Sequence, residues 1–206
     1  MMVSAVILSG GQSTRMGQEK GLMPFLGRRL IEFVVETLDP ISEEIIVSVA
    51  PGKTGIYERV LGPGLRLIED RASGLGPMEG LITSLRAAKS DYVIVSPCDA
   101  PLLNRSVCGL MISTAVDRDG AIPRVRGYLE PLHAVYARKP GLDAFERTLA
   151  SGERKLIEAL KDLDLGEVDE DSLRDVDPQL DSFWNLNAPE DIASAEKRML
   201  AIARRK

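Results

Sequence analysis

Leu8-Ser9-Gly10-Gly11-Gln12-Ser13-Thr14-Arg15-Met16-Gly17-Gln18-Glu19-Lys20 decides the fold, together with the run Val3-Ser4-Ala5-Val6-Ile7-Leu8 that leads into it. The run is short, apolar and rich in β-branched residues, the pattern of a buried first strand in a parallel sheet. Two adjacent glycines then remove the side chains that would hold a flat ligand off the backbone and leave their N–H groups open to phosphate or base. Ser13, Thr14, Arg15 and Lys20 follow, so hydroxyls and two cations converge on whatever the glycines admit. The outline is that of a polyphosphate site. A dinucleotide fingerprint needs G-x-G-x-x-G, and a Walker loop needs Lys directly after its second glycine; Gly10, Gly11, Gly17 and Lys20 satisfy neither.

Outward from this loop, the sequence predicts alternating helices and strands. A helix is expected over Leu30–Leu38, with Ile31, Val34, Val35 and Leu38 on one face, and a buried strand over Glu44–Val49. Ser48, near the C-terminal end of that strand, is a candidate ligand contact, because open parallel sheets bind ligands at that edge. A brief helix over Tyr57–Leu61 and a strand over Leu65–Ile68 lead to Glu69-Asp70. The glycine-rich Ser73–Gly80 segment opens a helix over Met78–Ala88, whose N–H groups are again available to an anion or base edge. Tyr92–Ser96 reads as a fourth strand that ends in Pro97-Cys98-Asp99. An acidic side chain at the tip of a buried parallel strand, above the glycine loop, is where a triphosphate-bound magnesium ion needs a ligand.

Farther on, Asn104 is predicted to cap a helix reaching about Asp117, and Ala121-Ile122-Pro123 to start another strand. Glu130–Tyr136 reads as a strand entered through Pro131, with His133 as a core residue, before helices over Gly141–Leu149 and Lys155–Leu160. Leu163–Asp181 is acidic and weakly patterned, an edge strand with loops. Asn187 is predicted to be the N-cap of the last helix, with Glu190 completing a capping box. Arg204-Arg205-Lys206 would be cations at its C-terminus. The expected architecture is α/β: a three-layer α/β/α, doubly wound, mostly parallel sheet in one domain over 1–206, with a nucleotide-binding half (1–117) and an acceptor-binding half (118–206).

The chain has 206 residues and a formal charge of −5, from 26 basic against 31 acidic residues, which argues against nucleic acid or an anionic membrane surface as the main partner. No stretch approaches the roughly 20 apolar residues of a membrane span and no basic region precedes an apolar leader, so the prediction is a cytoplasmic protein. Cys98 and Cys108 lack metal-like companions and read as free, buried thiols. A single histidine leaves little room for a nucleophile–histidine mechanism.

The pattern L-x-G-G-x-S-x-R-M-G-x-x-K resembles the signature of nucleotidyltransferases of the sugar-nucleotide pyrophosphorylase superfamily, and Asp99-Ala100-Pro101-Leu102 resembles its metal motif. Within that superfamily the chain is similar to the molybdenum cofactor guanylyltransferase family from Val3 through Asp191. Gly10 stands where cytidylyltransferase relatives carry alanine, leaving room for a purine edge. Gly76-Pro77-Met78-Glu79-Gly80-Leu81 and Phe183-Trp184-Asn185-Leu186-Asn187-Ala188-Pro189-Glu190-Asp191 resemble two further family segments. The resemblance implies transfer of GMP from GTP to molybdopterin, with or without molybdenum, releasing pyrophosphate, with Mg2+ as cofactor. Leu8, Ser9, Gly10 and Gly11 would contact the nucleotide through backbone, and Gly76 would lie near guanine and ribose. Lys20 and Arg15 would neutralise the phosphates, Asp70 would bind guanosine, and Asp99 would bind metal and nucleotide. Ser48 departs from the family's usual asparagine. Arg124, Arg126 and Arg138 are candidates for the acceptor phosphate, and molybdoenzyme apoproteins or other cofactor-biosynthesis proteins are candidate partners. Four alternatives keep nucleotidyl transfer: molybdopterin cytidylyltransferase and cobinamide-phosphate, phospholactate or sugar-phosphate guanylyltransferase. A fifth is a non-catalytic nucleotide-binding carrier.

Overall fold

A computed structural model describes residues 2–10, 19–62, 64–71 and 76–204. In chain order the elements are β1 (Val3–Ser9), β2 (Pro24–Phe25), β3 (Arg28–Arg29), α1 (Leu30–Leu38), β4 (Glu44–Val49), α2 (Thr54–Leu61), β5 (Arg66–Glu69), α3 (Pro77–Ala87) and β6 (Tyr92–Pro97). They continue with α4 (Arg105–Thr114), β7 (Gly120–Val125), β8 (Tyr128–Leu129), β9 (Val135–Ala137), α5 (Arg138–Ala150), α6 (Leu156–Leu160), β10 (Leu165–Val168), α7 (Glu170–Val176) and α8 (Pro189–Ala203).

The main sheet runs β10-β7-β9-β6-β1-β4-β5, with β8 paired to β7. β1 is parallel to both β4 and β6, β4 to β5, and β7 to β10, while β9 runs against β6 and β7. Six strands therefore share a direction, and one reversed strand joins the two halves of the sequence into one sheet. β1 is central and buried along its whole length, as its unbroken apolar run requires. Its alternate residues feed opposite layers: Val3, Ala5 and Ile7 pack with Ile31, Val34 and Leu38 of α1 and with Val107 and Met111 of α4. Val6 and Leu8 pack instead with Met78, Leu81 and Leu85 of α3 and with Phe145 of α5. Each such buried aliphatic side chain contributes roughly 1.5–3 kcal/mol, so both helical layers are tied to the strand that delivers the signature loop. A third cluster, Phe25, Leu30, Leu102, Leu186 and Ala195, seats α8 over the end of the sheet that carries Asp99.

Three expectations need correction. Glu130–Tyr136 is not a strand: Pro131 has no N–H to offer a ladder, the His133 N–H closes a turn onto the Glu130 carbonyl at 3.0 Å, and pairing begins only at Val135. Within Leu163–Asp181 the edge strand β10 is present, but α7 follows it; the Asp169 side chain caps α7 by accepting from the Ser172 N–H at 2.8 Å. Only Leu173 of α7 is buried, too little for a visible period. The last helix begins one residue later than expected. Ala188 is its N-cap, and the Asp191 carboxylate, not Glu190, accepts from the main-chain N–H groups of Asn187 and Ala188 at 2.8 and 2.9 Å. That shift releases the Asn187 side chain for another use. Asn104 caps α4 as expected, and Cys98 and Cys108 are free and buried, with burial pushing both thiols up to about 12. Arg205 and Lys206 lie outside the described residues.

Candidate active site

The site lies along the C-terminal edge of the parallel strands, where free strand ends and helix N-termini meet. At one end, β1 finishes at Ser9, whose hydroxyl hydrogen-bonds the buried Tyr57 hydroxyl of α2 at 2.5 Å. The Leu8 carbonyl accepts from the Cys98 N–H at 3.1 Å, so the backbone of Leu8 is committed to the sheet. Gly10 is the first described residue beyond the strand. A Cβ there would fall well inside contact distance of Asp70 Oδ2. The absent methyl that was read as room for a purine edge thus makes room first for the Asp70 carboxylate.

Asp70 follows β5, and its Oδ1 accepts from the Ser48 hydroxyl. Ser48 is fully buried. Ser48, expected as a ligand contact, spends its hydroxyl proton on Asp70 and so orients that carboxylate. A Cβ on Gly80, in the first turns of α3, would stand 3.0 Å from Ser48 Oγ and 3.3 Å from Asp70 Oδ1, so two glycines and a serine frame one half-buried acid. Burial raises the Asp70 carboxyl above its ordinary range; the Ser48 hydrogen bond opposes the rise and the nearby Glu79 charge adds to it. Gly76 is the N-cap of α3 with φ +73°, a conformation that suits glycine.

At the other end of the edge, Lys20 opens a short 3-10 turn. Gly21 lets that turn lie flat on the strand ends, since a Cβ there would come within 2.7 Å of Ser9 Oγ and 3.1 Å of Cys98 Cβ. Lys20 Nζ reaches two acceptors, Asp99 Oδ2 and Asn187 Oδ1, the latter at 2.9 Å. Asp99 is buried just beyond β6, and its main-chain carbonyl accepts from the Leu186 N–H at 3.0 Å. Residues far apart in sequence therefore close on one ion pair. The neighbouring Glu19 is anchored to Lys53 at 2.9 Å. Gly11 and Arg15, with the rest of 11–18, lie outside the described residues.

Sequence reading underweighted the C-terminal segment. Asn187 Nδ2 donates to the Asn185 carbonyl at 3.1 Å, and the Asn185 side chain meets His133 Nε2 at 3.1 Å. The usable signal was the Asn185-Leu186-Asn187 spacing, masked by the expectation that Asn187 was spent as a helix cap. Beside these residues opens a cavity of about 580 Å³ lined by Arg126, Tyr128, Glu130, Trp184, Asn185 and Asn187 among others. Arg126 and Gly127 form the turn between β7 and β8 with φ +52° and +83°, the primed geometry that suits a two-residue hairpin. Of the other arginines considered for an acceptor, Arg124 is held by Glu167 at 2.5 and 2.7 Å. Arg138 follows Ala137, which pairs with Tyr92 at the start of β6, so it stands at the opposite edge of the sheet and cannot share a ligand with Asp99.

A glycine-framed carboxylate and a lysine–aspartate pair along one edge of a mostly parallel sheet define a nucleotidyltransferase-type α/β protein. The model of the MobA-like NTP transferase domain matches residues 5–164. Over 204 aligned residues the chain is 37% identical to a probable molybdenum cofactor guanylyltransferase of Methanosarcina acetivorans, covering 93% of this chain and 88% of that one. It is 32% identical to a molybdenum cofactor guanylyltransferase of Desulfosudis oleivorans, covering 97% and 96%. Molybdopterin-guanine dinucleotide biosynthesis protein A from Archaeoglobus fulgidus superposes with a TM-score of 0.80 at 28% identity, covering 96% and 99%. The chain belongs to the MobA-like NTP transferase family.

Proposed function

We propose that the protein transfers GMP from GTP to the terminal phosphate of molybdopterin, with or without bound molybdenum, forming a guanine dinucleotide and releasing pyrophosphate. The observation that carries this reading is the convergence of Lys20, Asp99 and Asn187 between the glycine-framed Asp70 and an open cavity. Guanine offers N1–H and N2–H donors side by side, a match for a carboxylate acceptor such as Asp70. The triphosphate then runs along the sheet edge to Lys20. The names of the relatives support the base and the acceptor.

Asp99 fits a magnesium site of the kind completed by substrate: it is a single buried, hard oxygen donor. Among the described residues no group of three His, Cys, Asp or Glu side chains could cage a metal alone. Magnesium characteristically takes one or two carboxylates and fills its remaining positions with phosphate oxygens and water. Bound there, it would supply charge neutralisation on the triphosphate oxygens. Lys20, held by Asp99 and Asn187, would balance the charge that develops as the acceptor phosphate attacks the α-phosphorus in line. Arg15 would assist from the signature loop. No covalent nucleophile is required; position and charge do the work.

The acceptor occupies the cavity beside Asn187, with Tyr128 and Trp184 offering faces to a flat heterocycle and Arg126 the nearest lining cation. Among the described residues no helix is long and apolar enough to cross a membrane. The deciding experiment incubates the protein with magnesium, molybdopterin and either GTP or CTP, and follows pyrophosphate release and the dinucleotide product. Guanine dinucleotide formation with GTP alone is expected; cytosine dinucleotide formation overturns the base assignment, and no product with either nucleotide overturns the acceptor.

A further inference from the structure

The single histidine of the chain is 1% exposed, packs edge-on against Phe183 with ring centroids 5.3 Å apart, and has only one polar partner among the described residues. That partner is the Asn185 side-chain oxygen, 3.1 Å from Nε2; Nδ1 is buried with none. An amide oxygen only accepts, so the imidazole must carry its proton on Nε2 to bond it. The other tautomer would turn two acceptors toward each other and strand a buried N–H at Nδ1, which costs more than a bare lone pair. Asn185 in turn presents its main-chain carbonyl to Asn187 Nδ2, and Asn187 Oδ1 takes Lys20 Nζ.

We infer that His133 is a positioning residue: its Nε2–H fixes Asn185, and through Asn185 and Asn187 it holds Lys20 in line with Asp99. Burial also keeps the ring neutral, lowering its pKa to about 4 against the opposing effects of the Asn185 hydrogen bond and the Asp99 charge, so the donor is available at neutral pH. The role at stake rests on the reading of Lys20 and Asp99 as the reaction centre, but the linkage itself can be measured without turnover.

His133→Phe is the informative variant, because a phenyl ring serves a purely packing role against Phe183 and lacks the N–H. His133→Gln restores a donor near the Nε2 position. Asn185→Ala cuts the same link from the other side and replaces His133→Phe if that variant does not fold. Three readouts on the full chain decide the matter. Nitrogen-15 NMR of the one imidazole should show the Nε2–H tautomer. Competitive acetylation mapped by mass spectrometry should label Lys20 severalfold faster in His133→Phe, or in Asn185→Ala, than in the wild type, with His133→Gln near the wild type. In the transfer assay His133→Phe should lose about 10–100-fold in kcat with KM for GTP little changed, on the scale of residues that orient a reacting group indirectly, and His133→Gln should recover most of it. An Nδ1–H tautomer, or unchanged Lys20 labelling in the severed variant, overturns the relay even if the enzyme is active. Faster Lys20 labelling in a protein whose wild type makes no dinucleotide would leave the relay standing and overturn the reaction instead.

Discussion

The two ends of the site are built in opposite ways. The end proposed for the nucleotide is assembled from residues without reach: Gly10, Gly80, Ser48 and Asp70 meet because three strand ends and the start of α3 come together. The end proposed for the acceptor is assembled from long or planar side chains, Arg126, Tyr128 and Trp184, around an open cavity, with the backbone carried into the left-handed region at the tip of its hairpin. A rigid rim selects by what it excludes, whereas a side-chain-lined cavity selects by what it can stack against and pair. Substitutions at the first should therefore act sharply on one ligand, and substitutions at the second should act gradually on the other.

The largest effect is expected where the two ends meet. Lys20→Met should lower kcat by about 10³-fold, near 4 kcal/mol of transition-state stabilisation, in a steady-state assay with both substrates saturating. If kcat survives, the junction is not the reaction centre. Next, Gly10→Ala should raise the Kd for GTP by roughly 10–100-fold, since the new methyl pushes the Asp70 carboxylate out of the place where Ser48 holds it. Titration calorimetry reads this directly, and KM for the acceptor should not move. Trp184→Ala should raise the acceptor KM by about tenfold, on the scale of one lost aromatic contact, and leave GTP binding alone; a change in the GTP Kd would dissolve the distinction between the two ends.

The smallest effect concerns stability. Because burial raises the Asp70 pKa, the folded protein keeps that proton at a pH where the unfolded chain has released it. Stability contributed by this group is therefore lost as pH rises through that window. Asp70→Asn should remove the loss and raise Tm at pH 7 by about 1–2 °C, with no gain near pH 3. An equal gain at both values would mean that the charge is already relieved by solvent.

The same contrast explains what could be read in advance. β1, α1, β4 and β6 were legible because each carries its own apolar pattern, whichever elements come to cover it. That Lys20 and Asp99 would meet on one edge was legible because each follows a strand of the parallel sheet in sequence. The Asn187–Lys20 bond was not, because it spans 167 residues and depends on which residue caps α8. Ser48 was placed on the edge where it lies, but its bond to Asp70 was not legible: a strand pattern tells which face a residue takes, not that the adjacent strand ends in an acid. Arg138 failed for a topological reason, since nothing local announces that β9 runs backwards and carries the next helix to the far edge.

Lys20 meets Asp99 directly but takes its second acceptor, Asn187, from near the C-terminus, so on the proposed reading the growing chain carries an incomplete site for a time. A ribosome moving at about 5–20 residues per second needs on the order of 5–20 s to travel from Asp99 to Asn187. During that interval the emerging chain holds the residues that frame the proposed nucleotide site and lacks one of the two acceptors of Lys20. Whatever nucleotide it captures, it should be unable to spend until the last helix is made.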